Sequence, residues 1–234
     1  MNGLLPLDTS VDVRDRAVQV AVLPVGSFEQ HGAFLPLITD TAIATTITRA
    51  VADAYPLLHL PPVTISCSHE HAAWPGTVSI SATTLYAIVK DIQASLARSG
   101  VHHLVVVNGH GGNYVLSNVV QESERMGLFP TEVDWNTARF EGGIETPVDS
   151  DMHAGELETS ILLHAHPELV RADYADHDHL ADDRRHMLTL GLNAYTTTGV
   201  VGEPSLATAE KGQYVLASLV KSFGQLLDVL KPSS

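Results

Sequence analysis

Residues 17–25 read Ala-Val-Gln-Val-Ala-Val-Leu-Pro-Val, and this apolar run predicts a buried strand over residues 16–25. Residues 41–54 carry Ala, Ile and Val at helical spacing and predict a helix. A second strand is expected over residues 59–66, starting late or lying near an edge, because Pro61 and Pro62 have no N–H to give to a ladder. Leu85, Ile88, Val89, Ile92 and Leu96 make one apolar stripe along a helix over residues 82–99, with Gly100 as its stop. The strongest strand signal is His-Leu-Val-Val-Val at residues 103–107, short and β-branched as expected of a strand buried on both faces. It leads into a glycine-rich stretch at residues 108–113 and then a helix to about residue 126. A further strand is expected at residues 131–135, and helices at residues 155–166 and 213–230.

Strands alternating with helices predict an α/β protein with a mainly parallel sheet between two helical layers, α/β/α. No repeat, low-complexity tract or linker interrupts the chain, so a single domain over residues 1–234 is expected. Residues 173–206 fit no periodicity. They are polar and His-rich, then rich in Thr and Gly, and are expected to form a long excursion that covers a site or joins subunits.

Composition narrows the function. The 234 residues carry 27 acidic and 13 basic side chains, a net charge of −14 that repels phosphate backbones and argues against nucleic acid as a partner. Cys67 is the only cysteine, so no disulfide forms within the chain and a reducing compartment fits. Residues 1–10 lack a basic start followed by an apolar run, so no signal peptide is expected. No apolar run reaches membrane-spanning length. A cytoplasmic protein without a membrane partner is expected. Thirteen histidines, as many as Lys and Arg together, point weakly to metal or acid–base work, although His177 and His179 in a polar stretch read as surface residues.

Four constellations carry chemistry. Glu29 and His31 follow the first strand two residues apart, which puts both on one face of extended backbone. Asp40 comes nine residues later at a helix entry, where a carboxylate is favourable and can also bridge two cations; as a helix cap it would need no metal. His110 lies among three glycines after the best strand, where a ligand or catalytic role is favoured over a structural one. That loop lacks the lysine and spacing of a phosphate-binding P-loop. His153 and Glu156 are three apart and share a face if the helix begins there; an acid-rich helix start explains Glu156 and Glu158 but not His153. Ser68, Glu70, His71 and Trp74 follow the second strand as substrate contacts, with Glu70 and His71 also open as ligands or ligand supports. Cys67 reads as a small buried core residue. Two histidines and three carboxylates suit Zn²⁺, Mn²⁺ or Fe²⁺ better than a thiolate-selected metal, and five ligands with one bridging suggest two ions. Two such ions make hydroxide at neutral pH and polarise a carbonyl together, while a histidine such as His153 moves protons to the leaving nitrogen.

The segment from Leu23 to Gly32 with Thr39 and Asp40, the segment 108–113, the Glu70-His71 pair with Pro75, Gly76 and Thr77, and the run from His153 to Glu156 together resemble the creatininase family of amidohydrolases. The resemblance spans residues 18–166 and implies a flavodoxin-like fold, a dinuclear zinc or manganese site (iron in some members) and a homo-oligomer, often a hexamer. It implies that Glu29 binds one metal, His31 the other, Asp40 bridges them and His110 completes the first. Creatininase carries Tyr and a metal-binding Glu after that histidine; here Gly111 and Gly112 stand instead, which leaves Glu156 as the implied fifth ligand and His153 as the acid–base residue. Ala33 and Phe34 also depart from the Pro-His common in relatives. The branch with this glycine pair includes formamide hydrolases and a peptidase that trims the mycofactocin precursor. The expected function is hydrolysis of a C–N bond in a cyclic amide, lactam or formamide. The alternatives are a precursor-peptide peptidase and a non-catalytic metal-binding subunit.

Overall fold

The computed structural model describes residues 5–230; residues 1–4 and 231–234, at the ends of the expected domain and in the stretch read for a signal peptide, lie outside the described residues. The elements in order are α1 (Ser10–Arg16), β1 (Val20–Val25), α2 (Thr39–Ala54), β2 (Leu58–His59), α3 (Ala82–Arg98), β3 (His103–Asn108), α4 (Val115–Gln121), β4 (Met126–Phe129), α5 (Glu132–Gly142), α6 (Glu156–Ala165), α7 (Met187–Leu190) and α8 (Ala209–Leu230).

The sheet is parallel throughout, in the order β2-β1-β3-β4. Alternate residues of the central strands face opposite layers, as strand geometry requires. Val22, Val105 and Val107 pack with Ile43, Ile161, Leu219 and Phe223 from α2, α6 and α8. Ala21, Leu23, Leu104 and Val106 pack with Leu85, Val89, Leu116 and Val119 from α3 and α4. These are two cores on two faces of one sheet, the expected three-layer α/β/α arrangement. With β1 and β3 adjacent in the middle, the strand order reverses between them. Open α/β sheets bind ligands at such a point, beyond the carboxyl ends of the strands.

Three expectations are corrected. The stretch 131–135 is not a strand but the start of α5, where Thr131 and Asp134 form a reciprocal capping box, and the last strand lies earlier as β4. The helix expected to run to residue 126 stops at Gln121, because the chain has to turn into β4. The second strand shrinks to two residues. Past the two prolines the chain follows the edge of β1 through single bonds, such as Val63 N–H to the Pro24 carbonyl, rather than a ladder. The pattern also did not register the short helix α1.

The excursion 173–206 holds short helical turns and folds back on the body, and His153 exchanges both backbone bonds with Val201. His177 and His179 are half-buried rather than free on the surface; His177 stacks on Phe34 and His179 bonds the Tyr195 carbonyl. Among the described residues no helix is long and apolar enough to cross a membrane.

The first turn of α2 packs directly against the end of β3. A Cβ placed on Gly109 would lie 2.5 Å from the carbonyl oxygen of Asp40, a backbone atom that cannot swing away. Gly109→Ala should therefore cost about 1–3 kcal/mol as an overpacking change, read as a fall of about 2–10 °C in melting temperature.

Candidate metal centre

Beyond β1 the chain makes a compact loop. Glu29 N–H bonds the Leu37 carbonyl, and His31 pairs with Leu35 across a left-handed Gly32. This returns the chain to α2, whose second residue is Asp40. Glu29 and His31 both face the end of the sheet, while Gln30 between them faces the opposite way, toward Gly199 and His71.

Asp40 is the hub. One oxygen accepts from Ser27 Oγ at 2.7 Å and lies 3.0 Å from His110 Nδ1; the other lies 2.9 Å from His31 Nε2. The far nitrogen of each histidine faces a backbone carbonyl, His31 Nδ1 at 3.1 Å from that of Glu29 and His110 Nε2 at 2.8 Å from that of Cys67. A carbonyl only accepts, so those nitrogens carry the protons. In each neutral ring the lone pair then points at Asp40. Metal-binding histidines are held in this way, with the other ring N–H given to a carbonyl.

Glu29 is fully buried, and neither of its carboxylate oxygens has a hydrogen-bond partner. Its Oε2 lies 3.2 Å from His110 Nε2 and its Oε1 3.1 Å from His71 Nε2. Burial raises Glu29 to about 7. Burial opposes charge on His31 as well, yet Asp40, with Glu158 and Glu29, lifts it to about 9. A buried carboxylate with no partner is costly, and a cation removes that cost. The donor set therefore fits divalent metal.

The segment around His153 departs from expectation. The helix starts at Glu156, not at His153, and Ala154 takes a left-handed conformation just before it. His153 and Glu156 consequently do not share a helical face. Glu156 points away from the centre: its carboxylate receives Lys211 Nζ at 2.5 Å, the Thr146 N–H and hydroxyl at 2.7 Å each, and the Glu145 N–H. Burial works against its charge, but Lys211 and Thr146 hold it below the usual range. The residue that reaches the centre is Glu158. Its Oε2 takes the Ala154 N–H at 2.6 Å, and its Oε1 lies 4.0 Å from His31 Nε2. Burial raises Glu158 to about 8.

Two triads with ligand atoms mutually within 4.8 Å result, Glu29–Asp40–His110 and His31–Asp40–Glu158, sharing Asp40; a third joins Glu29 and His31 to His153. Of the six residues in these triads the sequence pointed to Glu29, His31, Asp40, His110 and His153; where it pointed to Glu156, the structure brings Glu158 to the cluster. A glutamate at the third position of a helix tends to fold back over the helix start, and that signal marks Glu158.

His153 is buried with Nε2 2.6 Å from the Gln30 carbonyl and Nδ1 3.8 Å from Glu29 Oε1; burial, then His31 and His71, hold it well below the usual histidine value. His71 is buried and likewise depressed, to about 3, chiefly by burial. Ser68 is buried beside Glu29, and Trp74 packs at 6.1 Å from the His71 ring. Glu70 reaches within 3.4 Å of His110 Nε2 and fills the room at Gly112, where a Cβ would stand 2.1 Å from its Oε1. Cys67 is buried in the core, as expected, and its thiol is raised by that burial.

Two cavities meet the glycine loop. One of 580 Å³ reaches His110, Gly111, Trp135, Met152, His153 and Glu158. The other, of 470 Å³, reaches Glu70, Gly112, Tyr114, Leu188 and Leu190. The excursion supplies part of the second wall, so it does cover the site.

The chain matches the family model for creatininase, creatinine amidohydrolase, over residues 8–227. It is 37% identical over 212 residues to the mycofactocin precursor peptide peptidase of Mycobacterium ulcerans, covering 85% of this chain and 80% of that protein. It is 25% identical over 229 residues to the creatinine amidohydrolase of Pseudomonas putida, covering 89% and 88%. A solved creatinine amidohydrolase superposes with a TM-score of 0.85 at 23% identity over the whole of both chains, which speaks for the fold. The chain belongs to the creatininase family and is an amidohydrolase, a hydrolase of C–N bonds that is metal-dependent by family.

Proposed function

We propose that this single-domain enzyme is a metal-dependent peptidase that trims a precursor peptide, as its relatives at 34–37% identity are named to do. The observation that carries the proposal is the pair of cavities, 580 and 470 Å³, that reach Gly111 and Gly112 from separate sets of walls. Each has the volume of a site for a drug-sized ligand. A peptide has chain on both sides of its scissile bond and needs both. The expectation of a small cyclic amide or formamide becomes the second reading, favoured by the family match itself.

In this proposal Glu29, Asp40 and His110 hold one divalent cation, and His31, Asp40 and Glu158 hold another, with Zn²⁺ or Mn²⁺ fitting the nitrogen and oxygen donors and Fe²⁺ as the alternative. When bound, the cations supply a water ionised at neutral pH and polarisation of the substrate carbonyl. His153 is the proton carrier: its Nε2 is tied to the Gln30 carbonyl, and its Nδ1 faces the centre. Ser68, Glu70, His71 and Trp74 border the substrate. Glu156 holds the α5–α6 connection to Lys211 instead of holding metal. The single cysteine fits a cytoplasmic protein, and the family resemblance supports a homo-oligomer. Val133 and Phe140, exposed apolar side chains on α5, support the assembly. The mass in solution checks the assembly, and a monomer would sink it.

Metal titration separates the two glutamates. Glu158→Gln should weaken metal binding by more than the about 10- to 100-fold typical of an outer-shell change. Glu156→Gln should retain two ions but lose about 1.5–3 kcal/mol of stability, the worth of a charge-assisted hydrogen bond, because Lys211 keeps Glu145 at 2.8 Å as a second partner. Metal uptake should release protons, since His31 and Glu158 are raised in the metal-free chain and must give them up to ligate. Affinity should accordingly climb with pH up to about pH 9, steeply below about pH 8 where both groups hold a proton and less steeply above it where only His31 does.

The substrate class is tested by incubating the purified, metal-loaded protein with a peptide library and, separately, with creatinine, lactams and formamides. Chelator-sensitive cleavage of peptides is expected. Turnover confined to the small amides would replace the peptidase proposal with the second reading.

A further inference from the structure

Gln30 lies between two residues of the centre, yet its side chain turns away from them. Its amide is oriented by two backbone groups. Oε1 accepts the Gly32 N–H at 2.9 Å, and Nε2 donates to the Gly199 carbonyl at 3.1 Å. An N–H cannot accept and a carbonyl cannot donate, so only this orientation satisfies both. The amide fits there because residue 199 has no side chain: a Cβ would stand 1.8 Å from Gln30 Oε1.

In this orientation Gln30 Nε2 also faces His71 Nδ1, at 2.9 Å. The amide nitrogen only donates, so His71 Nδ1 must offer its lone pair. The ring proton of His71 is then on Nε2. The opposite tautomer, or an imidazolium, would point two N–H groups at each other across 2.9 Å. His71 Nε2 is buried, lies 3.1 Å from Glu29 Oε1 and has no hydrogen-bond partner, so its proton is presented to the centre. The main chain of Gln30 fixes a second ring. Its carbonyl takes the proton of His153 Nε2 at 2.6 Å, which leaves the lone pair on His153 Nδ1, on the side of Glu29. The two rings are 4.3 Å apart.

We propose that Gln30 is a positioning residue that sets two adjacent histidines in complementary forms, His71 presenting an N–H to the metal centre and His153 presenting a lone pair. His71 is then excluded as a ligand through Nε2. It serves as a donor to Glu29 Oε1 or to an anionic oxygen formed on the substrate, where a preorganised donor has most effect. The tautomers rest on hydrogen-bond geometry alone; their use in catalysis rests on the metal-centre proposal.

The test reads the tautomers by long-range ¹⁵N–¹H NMR of the imidazoles in the full chain loaded with Zn²⁺, with His71 assigned by the resonances lost in His71→Gln. The expected spectrum has an unprotonated Nδ1 and a protonated Nε2 on His71. The reverse pattern, an Nε2 shifted by zinc, or two protonated nitrogens would overturn the proposal. In Gln30→Glu the carboxylate accepts instead of donating, so the His71 proton should move to Nδ1, and zinc retention against a competing chelator should fall by about 10- to 100-fold. A folded Gln30→Glu protein with an unmoved proton, or with a moved proton and unchanged zinc retention, also overturns it. If that variant does not fold, the wild-type spectrum decides. Peptide hydrolysis is scored separately, so an inactive protein with the expected tautomers sinks the peptidase proposal and leaves this one standing.

Discussion

The centre of this protein is organised by the desolvation of its carboxylates. Asp40 and Glu29 are buried at the ends of β1 and α2, and Glu158 closes over them from α6. Asp40 alone joins Ser27 and His31 from the loop after β1 to His110 from the loop after β3. Three acids gathered out of water repel one another, and each favours its neutral form unless positive charge is close. The surrounding histidines supply some, and divalent cations supply more. Stability at this end of the sheet and the capacity for hydrolysis therefore have one electrostatic origin.

Behind the centre lies a second set of buried charges with a mechanical role. Arg139 on α5 pairs with Asp151 at 2.6 Å, and the two oxygens of Asp151 cap the Glu156 and Leu157 N–H groups at the start of α6. Glu156 ties the same turn to Lys211 on α8 and to the Thr146 loop. The strand-like pairing of His153 with Val201 and the left-handed turn at Ala154 lie between this brace and the site. The brace fixes where α6 begins, and that start decides which glutamate reaches the metal centre.

The glycine pair after His110 has a steric meaning. A side chain at Gly112 would collide with Glu70 and with the His110 ring. Without it, Glu70 comes up to His110, and a cavity reaches the loop on that side. Space that a side chain at Gly112 would occupy is thus given to Glu70 and to the approach of a ligand. In the peptidase proposal, this is the room that a substrate longer than a single ring uses.

The sequence by itself determined the layer arrangement and most of the centre. Strand and helix periods are local, and residues 103–107 or 82–99 could hardly have been anything else; Glu29, His31, Asp40 and His110 were visible because each follows a strand or opens a helix at a recognisable spacing. Residues 126–135 were misread because four apolar residues resemble a helix end as much as a strand, and only the capping box of Thr131 and Asp134 fixes the boundary. Three matters lay beyond any local pattern. That Glu158 rather than Glu156 faces the cluster depended on Lys211, more than fifty residues away, which binds Glu156. The placement of residues 173–206 over the site depended on backbone pairing with His153. The orientation of Gln30 depended on Gly199, 169 residues distant, whose missing side chain leaves room for the amide. Local propensity selects elements, but the direction of a buried polar side chain is set by whichever partners the fold brings within hydrogen-bond reach, and only the tertiary structure decides those.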